Sequence, residues 1–206
     1  MEILTYKLGA MKTNCYVIVS DLGKAVAIDI GGDEKFLVLE ELKRGFKIEA
    51  VLLTHGHFDH ISGVNYFYNR GAKVFMSEKE KEFITDGELN LSNMYSEPVK
   101  PFGVYKFLRG GDEIELFGLN FKVIETPGHT VGSVCYLIGN DLFSGDTLFY
   151  ESYGRYDFKT GSLSDLKTSI KTLFALDEAT VVYPGHGDKT TVKHEKEFNP
   201  INYAID

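Results

Sequence analysis

Residues 54–60 read THGHFDH, three histidines and an aspartate crowded into one short stretch of a 206-residue chain that holds six histidines in all. On an extended backbone alternate side chains share a face, so His55 and His57 point the same way, within reach of one ion. Groups packed this tightly repel one another when protonated and need a cation to order them. IEAVLLT (48–54) precedes the histidines as a short, nearly continuous apolar strand, so THGHFDH reads as a loop leaving a strand end, where function gathers in sheet proteins.

The chain on either side supplies the scaffold. ILTYKL, CYVIV and AVAIDIGG read as a strand meander, and DEKFLVLEELKRG (33–45) as a helix with an acidic cap candidate at Asp33 and a stop at Gly45. ISGVNYFYNRG (61–71) reads as a helix ending at Gly71. In the second half YKFLR, DEIELFG, LNFKVIETP, SVCYLIG and DLFSGD read as strands. SLSDLKTSIKTLFAL then reads as a helix, TVVYP as a strand and TTVKHEKEF as a polar helix. Each half offers a sheet and helices that need an apolar surface, which points to an α/β (α+β) architecture of two packed sheets with helices outside. No linker or repeat divides the sequence, so a single domain over 1–206 is expected. The stretch 87–103, GELNLSNMYSEPVKPFG with Glu88 and Glu97, has weak periodicity and is either a flap or a connection.

Two further histidines follow Pro-Gly pairs that end strand patterns: His129 in TPGHTVGS and His186 in YPGHGDKT. Asp146 in SGDT follows the apolar DLF run. Alone, each is as readily a turn residue as a ligand; beside the 55–60 cluster they become ligand candidates. Asp29 in AIDIGG is either a turn cap or a group that orients a histidine. His194, among Lys193, Glu195 and Lys196, reads as part of a solvated helix face. Cys15 and Cys135 sit among apolar neighbours as buried small hydrophobes.

Composition narrows the function classes. The formal net charge is −8 and no Lys/Arg-rich run occurs, which disfavours nucleic acid. Apolar runs fall short of a membrane span and the N-terminus lacks a signal pattern, so the expectation is a cytoplasmic protein with no membrane partner. No G-x-S-x-G segment occurs and neither cysteine neighbours a histidine, so covalent catalysis by serine or cysteine gains no support.

The H-x-H-x-D-H pattern of His55, His57, Asp59 and His60, followed by His129, Asp146 and His186, resembles the metallo-β-lactamase fold superfamily over essentially the whole chain. The resemblance implies a four-layer αβ/βα sandwich. It further implies one metal held by His55, His57 and His129 and another by Asp59, His60 and His186, with Asp146 bridging. Two divalent ions, zinc foremost and iron or manganese also suited to these ligands, would sit roughly 3.5–4 Å apart and bring a shared water towards a pKa of about 7. Asp59 would then aim the resulting hydroxide, which makes Asp59 and Asp146 the catalytic carboxylates.

Within the superfamily, GDTLFYESYGRYDFKTGS (145–162) and VVYPGHGDKTTVKHEKEFNP (181–200) look most like glyoxalase II-type hydrolases, which cleave S-acylglutathiones such as S-lactoylglutathione. The implied partner is a small thioester. Full-length members carry a further helical domain that grips glutathione; the sequence reaches Asp206 without it, so a short form is expected. Arg155 matches a cationic position near the substrate, with Tyr153 and Tyr156 flanking it as pocket residues. Persulfide dioxygenases are similar too and would map a single iron to His55, His129 and Asp146. A lactonase or phosphodiesterase would differ only in the pocket.

Overall fold

The computed structural model describes residues 1–95 and 98–203. Its first sheet runs in chain order through β1 (Glu2–Leu8), β2 (Thr13–Val19), β3 (Lys24–Ile28), β4 (Lys47–Leu52), β5 (Lys73–Ser77) and β6 (Lys106–Leu108). The first three strands pair antiparallel and β3 to β6 pair parallel. Parallel neighbours need crossovers, and α1 (Glu34–Arg44), α2 (Phe58–Ile61), α3 (Val64–Asn69) and α4 (Ser92–Tyr95) lie in them.

The second sheet has the order β14-β13-β10-β9-β8-β7. It comprises β7 (Glu113–Leu116), β8 (Leu119–Glu125), β9 (Val134–Ile138), β10 (Asp141–Gly145), β13 (Val181–Pro184) and β14 (Thr190–Thr191). A small hairpin of β11 (Leu148–Phe149) and β12 (Ser152–Tyr153) stands apart, and α5 (Leu163–Phe174) and α6 (Val192–Phe198) complete this half.

Side-chain alternation produces the layering. Adjacent strand residues point to opposite faces, so Val17 and Val51 pack with Leu37, Val64 and Phe67 of the first helices, while Ile18 and Leu52 meet Phe121, Tyr136 and Phe143 of the opposite sheet. Cys135, Leu142 and Val182 point outward onto Leu166, Ile170 and Leu173 of α5 and Val192 of α6. Three apolar seams therefore separate four layers, helix, sheet, sheet and helix, as the αβ/βα expectation requires. Sheets covered on both faces read as continuous apolar runs. Both cysteines are buried and free. Among the described residues no helix is long and apolar enough to cross a membrane.

Two local readings are corrected and one strand is added. THGHFDH is a loop only as far as His57, because Phe58–Ile61 turn into α2, with His60 N–H donating to the His57 carbonyl at 2.9 Å. Asp33 does occupy the position before α1, but its carboxylate accepts from Gly9 N–H at 2.7 Å and does not cap the helix. KVFMS, β5, was not legible as a strand: five residues opening on a lysine carry little periodicity, and burial between β4 and β6 decides their state.

Candidate metal centre

The loops that carry the candidate ligands leave the C-terminal ends of β4, β8, β10 and β13, all at one edge of the sandwich. Parallel pairing of β10 with β13 brings Asp146 and His186 out side by side, and Gly185 N–H donates to the Gly145 carbonyl at 2.8 Å. Val134 N–H donates to the Thr54 carbonyl at 2.9 Å, tying the second half to the histidine loop of the first. This edge admits no extra carbon at key points. A Cβ on Gly185 would lie 2.1 Å from Asp146 Oδ1, and one on Gly154 would lie 1.7 Å from the Asp146 carbonyl oxygen.

Seven predicted side chains converge here in two groups. His57 Nδ1 lies 3.1 Å from His55 Nε2 and 2.9 Å from His129 Nε2. Ligands about 2.0–2.1 Å from one ion at tetrahedral angles would be separated by slightly more, so the three nitrogens already surround a common point. In the second group His186 Nε2 is 3.2 Å and His60 Nε2 3.6 Å from Asp59 Oδ2. Asp146 reaches both groups: Oδ1 is 3.4 Å from His60 Nε2, and Oδ2 is 3.6 Å from both His129 Nε2 and His186 Nε2.

The donor set fits a cation. His60 Nε2 and Asp146 Oδ1 are buried without a hydrogen-bond partner, a state that costs free energy unless something else satisfies them. His55, His57 and His129 form one cluster of metal-capable atoms, His55, His60 and Asp146 a second, and Asp59, His60 and His186 a third, each within 4.8 Å. Burial drives His55 well down and His57 to about 3, and it lowers His129, so these imidazoles are neutral. Burial alone would raise Asp59, yet attraction to His60 and the His186 hydrogen bond outweigh it and bring the carboxyl to about 2. Asp146 is lowered in the same way, burial opposing and His60 prevailing. His60 is raised against its burial by Asp59, Asp146 and Asp29, the same negative field that favours a cation at its Nε2.

A second ring of groups orients the first. Asp29 accepts from His60 Nδ1 at 2.8 Å, from Thr54 Oγ1 at 2.6 Å and from Thr54 N–H at 2.9 Å, so it is the orienting group and no mere turn cap. Thr54 Oγ1, its own proton committed to Asp29, faces His55 Nδ1 at 3.1 Å as an acceptor. His129 Nδ1 donates to the Arg155 carbonyl at 2.7 Å, and Thr13 Oγ1 donates to Asp59 Oδ2 at 2.8 Å. Fully buried Glu80 accepts from Gly56 N–H at 2.8 Å and Gly132 N–H at 2.7 Å, bridging the loops of His57 and His129. Sequence reasoning missed Thr13, Thr54 and Glu80. Thr54 gave a signal by adjoining His55, whereas Thr13 and Glu80 reach the site only through the fold.

Above the ligands lies a cavity of about 270 Å³ walled by Met11, Phe58, Leu91, Tyr95, Phe149 and Phe158 as well as Tyr153 and Arg155. Tyr156 is not in this wall; it lies behind, stacked on Tyr153 at 6.5 Å. The 87–103 stretch therefore contributes through Leu91 and Tyr95, with Tyr95 stacked on Phe58 at 4.9 Å. Glu88 hydrogen-bonds Asn93, and Glu97 lies outside the described residues. His194 caps no ligand: it pairs with Glu151 at 3.0 Å and stacks on Tyr150, partly shielded rather than simply solvated.

Comparison with known proteins agrees with this geometry. The family model of the Metallo-beta-lactamase superfamily matches residues 8–186. The hydroxyacylglutathione hydrolase GloC of Haemophilus influenzae is 32% identical over 209 residues, covering 98% of both chains. The crystal structure of BLEG-1 B3 metallo-beta-lactamase superposes with a TM-score of 0.91 at 34% identity, covering 97% of this chain and 98% of that one. That of TTHA1623 in a di-iron-bound form gives 0.86 at 33% identity, covering 96% and 98%.

Proposed function

The chain belongs to the metallo-beta-lactamase superfamily, and from that premise we propose that it is a binuclear metallohydrolase of small thioesters, S-acylglutathiones or simpler ones. The observation that carries the reading is Asp146, placed between a three-histidine group and an Asp-His-His group at the floor of the apolar cavity. His55, His57 and His129 would hold one divalent ion and Asp59, His60 and His186 the other, zinc first among the candidates and iron supported by the di-iron form of a relative. When bound, such ions supply Lewis acidity, polarising a carbonyl and bringing water towards a pKa of about 7.

The chain's own residues do the remainder. Thr13 Oγ1 donates to Asp59 Oδ2 and steadies the carboxylate, whose Oδ1 can then accept a hydrogen bond from an attacking water and orient it. Asp29, Thr54 and the Arg155 carbonyl fix the tautomers of His60, His55 and His129, keeping the opposite ring nitrogens bare towards the site. The aromatic wall excludes water around a bound acyl group. A thiol leaves readily as thiolate, its pKa being about 8.5, so the reaction needs no strong general acid. Ring opening of a β-lactam, suggested by the likeness to BLEG-1, expels an amine and does call for a proton donor, which ranks it second. The complete second group favours hydrolysis over a one-iron oxygenase, which would use only His55, His129 and Asp146. A cytoplasmic location belongs to the same proposal, since the unpaired thiols of Cys15 and Cys135 persist there.

The test is a panel of thioesters, lactones, phosphodiesters and a β-lactam, assayed with metal content measured on the same sample, before and after chelation and beside an oxygen electrode. Thioester turnover that needs metal and consumes no oxygen is expected, and Asp146→Ala should lose both metal and turnover while keeping its far-UV spectrum. Turnover by fully metal-free protein, or an undiminished Asp146→Ala, would overturn the proposal.

A further inference from the structure

The cavity wall identifies which half of the thioester class the site accepts. Among the described residues that line it, Arg155 is the sole lysine or arginine; the ligands aside, the rest are aromatic or aliphatic. That one cation is engaged twice. Its Nε and Nη2 each lie 2.9 Å from an oxygen of Asp157, a two-point pairing that matches the guanidinium fork, and its guanidinium sits 4.2 Å from the centre of the Phe158 ring. Phe158 in turn meets the rings of His57 and His129 at 5.2 and 5.8 Å. Asp157 takes Nε and one Nη2 hydrogen, so an anionic substrate is left Nη1 and the other Nη2 hydrogen of a guanidinium whose charge is already offset, with the Asp157 carboxylate as a competing negative charge nearby. Lys100 lies in the adjoining cavity, in company with Asp33, Glu34 and Asp59, and gives no compensating excess of positive charge. Glutathione carries a net negative charge and two carboxylates; the wall instead matches an uncharged, apolar or aromatic group.

We infer that Asp157 is a specificity residue that neutralises Arg155 and tunes the cavity to uncharged thioesters with apolar or aromatic acyl groups, disfavouring S-acylglutathiones. The inference rests on the thioester reading only for its choice of substrate. Binding and turnover are therefore measured separately on the metal-loaded protein. The binding probes are two thioethers that share one benzyl group, S-benzylglutathione and S-benzyl-N-acetylcysteamine, and the turnover probes are the corresponding phenylacetyl thioesters.

The neutral thioether is expected to bind the more tightly. In Asp157→Asn, where Arg155 is released, the preference should shrink by about two- to fivefold, the range of an exposed ion pair. Asp157→Glu, which restores the charge, should return it. Equal or tighter binding of the glutathione compound by the unaltered protein, or a preference that Asp157→Asn leaves untouched, would overturn the inference. If the binding preference holds while neither thioester is hydrolysed, the thioesterase reading falls and the specificity assignment stands.

Discussion

Replacing Glu80 by glutamine probes the bond between the two histidine loops. Both carboxylate oxygens of Glu80 are used, one by Gly56 N–H at 2.8 Å and the other by Gly132 N–H at 2.7 Å. A glutamine amide accepts through one oxygen only, so one buried N–H loses its partner at a cost of about 1–3 kcal/mol. For a domain of this size that lowers Tm by about 2–12 °C. Burial also pushes the Glu80 carboxyl up to about 7 from 4.5, against its hydrogen bonds from Thr130, Gly56 and Gly132. The folded state then binds the proton more tightly than the unfolded one. Stability from this group is complete below the unfolded value and is lost as pH rises through the folded value. Between about pH 5.5 and about pH 8 the loss amounts to about 2 kcal/mol, since each pH unit below the folded value is worth about 1.4 kcal/mol. Glutamine does not titrate, so the deficit of Glu80→Gln should be largest in acid and shrink with rising pH. Urea unfolding of both proteins, held metal-free by chelator at about pH 5.5 and about pH 8, reads this directly. A deficit that grows with pH would refute the dominance of burial at Glu80, and no deficit at either pH would refute its bridging role.

Asp29→Asn keeps the shape of the group that accepts from His60 Nδ1 but removes its charge, and metal affinity by equilibrium dialysis should weaken about 10- to 100-fold; unchanged affinity would remove Asp29 from the ligand support. Gly154→Ala would place a methyl 1.7 Å from the Asp146 carbonyl oxygen and 3.2 Å from His129 Nδ1. It should therefore lower metal stoichiometry and turnover while far-UV circular dichroism persists, and full occupancy would contradict the close approach. Metal at about 100 times its Kd should raise Tm by about 5–11 °C over the chelated protein, from about 2.7 kcal/mol of linkage; a Tm indifferent to metal would argue against a site formed only in the folded state.

Much of this site is legible before any tertiary structure, because ligand chemistry and spacing are local. His55 and His57 declare themselves by alternation, whereas His129, Asp146 and His186, each as readily a turn residue alone, become ligand candidates only beside that cluster. The alternation of Val17 with Ile18 and of Val51 with Leu52 likewise carries the two buried faces of the sheet. Other elements are silent. β5 is too short to show a period, and α2 forms because a hydrogen bond from His60 N–H to the His57 carbonyl turns the chain where extended pairing ends.

The sequence by itself determined which groups this protein brings to its chemistry and which strand faces bury them. The family resemblance already implied how those groups divide around two points with Asp146 between them; only the tertiary structure decided that they meet at one edge of the sheets and that Glu80 ties the loops together. It also put Tyr156 outside the cavity and Arg155 in the grip of Asp157. The reason is physical: periodicity and turn chemistry act between near neighbours in the chain, whereas the meeting of His57 with His129, 72 residues apart, depends on how two sheets pack.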